Sequence, residues 1–160
     1  MRHLLLFVGC VLGILLSSPE SFGGPIVVTI RVVDARNGKP YRKLHLLVEF
    51  LRAEWSPQGY KTDAEARANL IAKEAKTTDD SGEIALDLPT PLPGVISVWS
   101  GPTSCGSFYF DTQAVIAKGM VGENQCKTKW TKLKVNFQAK PGEIIYFATH
   151  VGFFEGALTK

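Results

Sequence analysis

The chain has 160 residues, of which 45% are hydrophobic and 21% charged, and its formal net charge is +3. This length suits one domain with a buried core. So small an excess of positive charge over a whole domain argues against a nucleic-acid partner. The only basic cluster, at 127–134, is interpreted as the solvent face of a strand, with an anionic-ligand patch as the alternative.

Residues 1–23 have the pattern of a secretory signal peptide. Arg2 supplies a basic start, an apolar run follows at 4–16, and small residues stand at 21 and 23, where a signal peptidase reads the chain. The run is shorter than the roughly 20 apolar residues that a membrane-spanning helix needs. We therefore expect cleavage near Gly23, a mature domain at 24–160, no membrane span, and a secreted or periplasmic location.

Cys10 supports an alternative interpretation of the leader as a lipoprotein signal. Val8-Gly9-Cys10 resembles a lipidation site, although Phe7 stands where such sites usually carry Leu. In this alternative the protein is tethered to a membrane by a lipid anchor on Cys10.

Cys105 and Cys126 are the two cysteines outside the leader, and we expect them to form a disulfide. Two cysteines in an exported domain most often pair. The bond would close a loop of about 20 residues and stabilise the fold by roughly 3 kcal/mol. The alternatives are two buried free thiols and, with less support, a zinc site, which no CxxC or paired histidine accompanies.

Apolar and polar residues alternate along most of the mature chain, which predicts β structure. Strands are predicted at 26–32 and 43–51, separated by a turn at Asn37-Gly38. The second strand has one apolar face and one face of mixed character, which carries His45, Leu47, Glu49 and Leu51.

Residues 53–70 interrupt this pattern. Trp55-Ser-Pro57 is turn-like, and Thr62-Asp-Ala-Glu65 resembles a capping box before an alanine-rich stretch. We expect a short helical insertion near 62–70 and a return to β structure by about Ile71.

Short strands and turns fill the rest of the chain. Residues 78–83 are predicted to form a hairpin turn, favoured over a calcium site because the acidic residues are contiguous. Further strands are predicted at 84–88, 95–99, 105–111, 132–137 and 143–150, with a helical turn at 112–118. This spacing is typical of an all-β sandwich of about 7–8 strands.

Two turn motifs resemble a family pattern. The segment from Val28 to Asp34 is followed by Asn37-Gly38-Lys39-Pro40, and a second segment reads Thr77-Thr78-Asp79-Asp80-Ser81-Gly82-Glu83-Ile84. These resemble the carboxypeptidase regulatory-like and prealbumin-like β-sandwich domains of exported bacterial proteins, with D-x-x-x-G-x-P and T-D-x-x-G turns. The resemblance covers residues 25–100 and implies a single Greek-key-type, prealbumin-like sandwich. The longer stretch at 53–70 and the segment between the cysteines depart from it.

His45 and His150 are the only histidines outside the leader, and neither belongs to a metal or catalytic motif. We therefore expect no enzymatic activity and no cofactor. The least favoured alternative is a hydrolase or metal enzyme that uses one or both histidines, with Glu49 or Glu143 as a further metal ligand.

Aromatic residues provide the remaining functional lead. Trp55 and Trp130 fall beside predicted loops, where aromatic side chains stack on sugar rings or anchor protein partners. The sequence therefore predicts an exported, non-catalytic protein with a binding or structural role and an unidentified protein or glycan partner. The alternative is a carbohydrate- or peptide-binding module that uses loop aromatics. Four other aromatic residues are predicted to fill the core, namely Trp99, Phe108, Phe110 and Phe147.

Overall fold

The computed structural model describes residues 24–52, 64, 68–106, 109–126 and 136–149. These residues form mostly β structure, as predicted. The strands are β1 (Val27–Asp34), β2 (His45–Leu51), β3 (Leu70–Thr77), β4 (Glu83–Asp87), β5 (Val95–Trp99), β6 (Tyr109–Asp111), β7 (Met120–Val121) and β8 (Glu143–Ala148). A short helix, α1 (Thr112–Lys118), joins β6 to β7, and a 3-10 turn at Gly101–Thr103 follows β5.

The strands form two four-stranded sheets, which confirms the predicted β-sandwich. The first sheet has the order β4-β1-β8-β7, and in it β8 runs parallel to both β1 and β7. The second sheet has the order β3-β2-β5-β6 and is antiparallel throughout. Because β1 and β2 belong to different sheets, the chain crosses between the layers at its first connection.

The main core lies between the sheets and follows the two-residue period of the strands. Phe110 of β6 and Val115 of α1 join this core, and both are almost fully buried. The inward-pointing residues of β1 and β2 are Val28, Ile30, Val32, Leu46, Val48 and Phe50. The intervening residues of each strand point to the outer faces, and the two outer faces differ in what covers them.

The two turn motifs noted in the sequence pack against each other. Gly82 has a φ of +78°, and a Cβ there would lie only 2.9 Å from the carbonyl oxygen of Val32 and 3.0 Å from the amide nitrogen of Tyr41. The buried hydroxyl of Thr78 donates to the carbonyl of Tyr41 (2.8 Å) and accepts from the amide of Leu44 (2.9 Å). The glycine and the threonine thus fix the turn between β3 and β4 against the connection between β1 and β2. The turn predicted at 78–83 is therefore present, but the predicted hairpin is wrong, because β3 belongs to the second sheet and β4 pairs with β1 in the first.

Cys105 and Cys126 form the predicted disulfide, which spans a sequence separation of 21. The closed segment contains β6, α1 and β7, so it gives an edge strand to each sheet. Both cysteines contribute to a second apolar cluster, on the outer face of the first sheet. This outer cluster consists of Val33, Ala35, Cys105, Ile145 and Phe147, with Cys126, Phe137 and Ala139 packed against it.

Several further predictions are confirmed or corrected by the described residues. The helical turn predicted at 112–118 is confirmed as α1, whereas β7 was not expected from the sequence. Of the helical insertion predicted near 62–70, Ala64 and Ala68 are helical and Leu70 already begins β3; residues 62, 63 and 65–67 lie outside the described residues. Most of the strand predicted at 132–137 also lies outside them, and residues 136 and 137 are not in a strand.

The leader, with Cys10, and the basic cluster at 127–134 likewise lie outside the described residues. In the described ranges, no helix is long and apolar enough to cross a membrane. The disulfide fits an extracellular or periplasmic location, where oxidising conditions maintain such bonds.

The carboxylate of Asp79 organises the turn between β3 and β4. Its Oδ1 accepts hydrogen bonds from the Ser81 hydroxyl (2.7 Å), the Ser81 amide (2.9 Å) and the Glu83 amide (2.8 Å). These bonds, chiefly the one from the Ser81 hydroxyl, lower the pKa of Asp79 below its ordinary value of 3.8. Because the pKa is lower in the folded state, the resulting stabilisation is complete above the unfolded pKa and is lost as the pH falls through the folded pKa.

We expect Asp79→Ala to lower the melting temperature at neutral pH. The difference in melting temperature between this variant and wild type should narrow as the pH falls from about 5 to about 2, because Asp79 becomes protonated in the wild type. Thermal unfolding followed by circular dichroism across a pH series measures this difference. Asp80→Ala alters the neighbouring exposed carboxylate of the same turn and is the matched control, with a smaller expected effect. A difference between Asp79→Ala and wild type that stays constant over this pH range would contradict the assignment.

Removal of the disulfide is expected to lower the free energy of unfolding by about 3 kcal/mol, because the closed segment gains conformational freedom in the unfolded state. Urea unfolding of wild type and of the double variant Cys105→Ser/Cys126→Ser, each with and without reductant, tests this. Reductant should destabilise the wild type and leave the double variant unchanged. Equal stability of the two oxidised proteins would show that the bond does not support the fold.

Candidate functional site

The outer face of the second sheet carries polar and aromatic side chains, whereas part of the outer face of the first sheet, along β1 and β8, is covered by the outer cluster. The strand register sets the outward-pointing residues of the second sheet in rows. One row crosses all four strands and consists of Lys73, Glu49, Ser97 and Tyr109. The adjacent row consists of Ala75, Leu47 and Trp99.

A groove of about 400 Å³ follows these two rows. Trp99 is 50% exposed and Tyr109 is 42% exposed, and they are diagonal neighbours on β5 and β6. Ser97, which is 6% exposed, lies directly opposite Tyr109 in the register. The volume is in the usual range of small-molecule sites. We call this site the aromatic groove; its lining residues are Leu47, Glu49, Lys73, Ser97, Trp99 and Tyr109.

Two charged side chains of the groove form an ion pair. The Nζ of Lys73 lies 2.9 Å from Oε1 of Glu49, and both side chains remain partly exposed. An ion pair with this exposure contributes at most about 1 kcal/mol to stability. The ion pair does, however, place the Lys73 ammonium, a strong hydrogen-bond donor, beside the Glu49 carboxylate, a strong acceptor, in the lining of an open groove.

The end of β5, directly after Trp99, is anchored to the first sheet by hydroxyl groups. Tyr146 of β8 donates to Oγ of Ser104 (2.7 Å), which also accepts from the amide of Ser100 (3.0 Å). Burial raises the pKa of Tyr146, so its hydroxyl stays protonated and remains a donor. Because Ser104 precedes Cys105, the disulfide and this hydroxyl network support the same strand end.

Tyr109 is held through its neighbours on β6. The next residue, Phe110, is 1% exposed and lies in the main core. Asp111 then caps α1, where its Oδ1 accepts from the amide of Ala114 at 2.7 Å. The short strand that presents Tyr109 is therefore fixed by core packing, by a helix cap and by its place within the disulfide-closed segment.

The structure tests some of the site residues predicted from the sequence and does not describe others. The disulfide between Cys105 and Cys126 is confirmed. The predicted ligand-contact residues Trp55 and Trp130 lie outside the described residues, as do Phe108 and His150.

The prediction that Trp99 fills the core is wrong. The two-residue period of β5 places Trp99 on the same face as Ser97, so half of its side chain is exposed to solvent. Phe110 and Phe147 are buried, as predicted, at 1% and 6% exposure, but only Phe110 belongs to the main core and Phe147 belongs to the outer cluster.

The structure does not bring His45 together with the carboxylates considered for a metal site. The Nδ1 of His45 lies 2.9 Å from Oγ1 of Thr77. Glu49 is four residues further along the same strand, roughly 13 Å away at the usual rise per residue. Glu143 belongs to the first sheet and pairs there with Arg31 at 2.8 Å. Among the described residues, no three His, Cys, Asp or Glu side chains are grouped so that they could hold a metal ion.

Sequence reasoning missed the pairing of Trp99 with Tyr109, although a local signal exists for each. Ser97 is the only polar residue within β5 and shares its face with Trp99, which marks that face as solvent-facing. Tyr109 and Asp111 flank Phe110 in β6, and this alternation indicates one outward face and one buried face. The meeting of the two strands depends on register, which the sequence does not state.

No protein-family model, curated protein or solved structure matches this chain. The resemblance to carboxypeptidase regulatory-like and prealbumin-like domains therefore stays a prediction. The chemistry of the aromatic groove is accordingly interpreted from its own residues and geometry.

Proposed function

We propose that this protein is an exported, non-catalytic β-sandwich that binds carbohydrate in the aromatic groove. The observation that carries this proposal is the half-exposed pair Trp99 and Tyr109 beside Ser97 and the Glu49–Lys73 ion pair. Exposed aromatic faces stack on the C–H surfaces of sugar rings. Neighbouring hydroxyl, carboxylate and ammonium groups then bind the sugar hydroxyls, which both donate and accept hydrogen bonds.

The location of the groove on its sheet favours a sugar over an extended peptide. Both central strands, β2 and β5, are paired along both edges, so their backbone groups are used within the sheet. Peptides that bind by strand addition need an unpaired sheet edge. A ligand that lies on this face is recognised by side chains alone, which suits stacking combined with hydroxyl hydrogen bonds.

The carboxylates near the groove support binding without catalysis. Glycoside hydrolysis ordinarily requires two carboxyl groups on either side of the scissile bond. In the described lining, Glu49 is the one carboxylate, and Lys73 neutralises it. Asp111, one row away, directs its Oδ1 to the amide of Ala114 at the start of α1.

Carbohydrate binding predicts that Trp99→Ala and Tyr109→Ala each weaken the affinity for the best ligand of a glycan panel by about tenfold or more. Both variants should fold normally, because about half of each side chain is exposed and neither belongs to the main core or to the outer cluster. Isothermal titration calorimetry measures the affinity without depending on tryptophan fluorescence. The control is Val121→Ala, which truncates an exposed apolar residue on the first sheet and should leave the affinity unchanged.

Two results would contradict this assignment of the site. One is the absence of binding to every glycan of the panel. The other is affinity that survives both groove variants and is lost in Trp55→Ala or Trp130→Ala, which would move the site to the loop aromatics predicted from the sequence.

Export is the second part of the proposal, and the leader pattern together with the disulfide supports it. Intact-mass measurement of the exported product without reductant should give a chain that begins near Gly24 and lacks the two thiol hydrogens. A product that begins at a lipid-modified Cys10 would replace cleavage near Gly23 by membrane anchoring. An uncut cytosolic chain whose thiols at Cys105 and Cys126 can be alkylated would contradict export.

A further inference from the structure

We infer that the aromatic groove selects uncharged saccharides over acidic and basic ones. This inference rests on the proposed carbohydrate binding and specifies the ligand class for the same site. It follows from how the charged groups on the outer face of the second sheet are arranged.

The formal charges that line the groove cancel. Glu49 and Lys73 contribute one negative and one positive charge, 2.9 Å apart. Outside the lining, Asp111 directs its carboxylate to the amide of Ala114, and His45 lies against Thr77 at 2.9 Å. A bound ligand therefore meets no net charge among the described residues of the lining.

An acidic sugar meets two kinds of unfavourable interaction in this groove. Its carboxylate would approach the negative faces of Trp99 and Tyr109, and it would have to compete with Glu49 for the ammonium of Lys73. A basic sugar meets the converse problem, because its ammonium would compete with Lys73 for Glu49. In either case the like charge already held in the ion pair opposes the charge of the ligand.

A neutral sugar avoids this competition. A hydroxyl donates to the carboxylate of Glu49 while it or its neighbour accepts from the ammonium of Lys73, so the ion pair stays intact. Ser97 adds a hydroxyl in the same row. The row of four residues crosses three strand spacings, or roughly 14 Å, which accommodates an oligosaccharide rather than a single ring.

The test compares three oligosaccharides of equal length that differ in one substituent, in a gluco and in a galacto series. These are neutral hexose oligomers, the corresponding uronic-acid oligomers, and the corresponding amino-sugar oligomers. Calorimetric titration of the mature, oxidised protein should give affinities at least about tenfold higher for the neutral member of the preferred series. Binding of that member should not weaken with added salt, because no charge of the ligand is screened.

Variants that remove one charge of the ion pair test whether this pair causes the selectivity. Glu49→Gln leaves Lys73 without its carboxylate partner and should shift the ratio of acidic to neutral affinity about fivefold toward the acidic ligand. Lys73→Met should shift preference toward the basic ligand to a similar extent. Glu74→Gln is the matched control, because Glu74 pairs with Lys76 at 3.0 Å on the other face of β3 and should leave both ratios unchanged.

The possible failures are distinguishable. Equal or tighter binding of the uronic-acid or amino-sugar oligomers by the wild-type protein would overturn the selectivity while leaving carbohydrate binding in place. Ratios that do not move in Glu49→Gln and Lys73→Met would also overturn it, since the ion pair would then have no part in selection. The absence of binding to all three ligand classes would overturn the proposed function, and the selectivity with it.

Discussion

The segment closed by Cys105 and Cys126 connects the two layers of this sandwich and helps to cover one of them. It leaves the outer cluster at Cys105, adds β6 to the second sheet, and returns through α1 to add β7 to the first. Covering the first sheet on its outer face explains why consecutive residues of β8 are apolar. Ile144 and Tyr146 face the main core, while Ile145 and Phe147 face the outer cluster. A parallel strand buried on both faces has this composition.

The second sheet differs from the first in that the aromatic groove lies open on its outer face. The disulfide-closed segment contributes one of the residues that line this groove. This residue is Tyr109, which β6 presents from within the closed segment. The strand end that carries Trp99 is tied to Tyr146 of the first sheet through Ser104. Both aromatic side chains thus stand on sheet strands that are fixed by buried contacts, so the proposed binding of a saccharide would need little ordering of the protein.

Local patterns in the sequence predicted those features that depend on neighbours along the chain. Thr78 and Gly82 belong to a turn motif whose backbone requires them, and the helical turn predicted at 112–118 is α1, which Asp111 caps. The parallel pairing of β1 with β8 joins strands from opposite ends of the described chain, and no local signal specifies it. The same holds for the aromatic groove, whose six lining residues come from β2, β3, β5 and β6 and meet only through register. The prediction places Trp99 in the core, although Ser97, which shares its face in β5, already indicates a solvent-facing side.

The two ion pairs, Arg31–Glu143 and Glu49–Lys73, differ in their surroundings and therefore in what they contribute. Arg31 and Glu143 lie 2.8 Å apart, with the Glu143 side chain only 12% exposed, and Arg31 also lies 6.0 Å from the ring centre of Phe137. That pair borders the outer cluster and belongs to the packing of the first sheet. Glu49 and Lys73 are more exposed and lie in a groove beside two exposed aromatic rings, so they contribute little to folding and remain accessible to a ligand. In the proposed binding of an uncharged saccharide, a charged ligand would compete with this pair while a hydroxyl would join it, so the two side chains that add little stability would determine specificity.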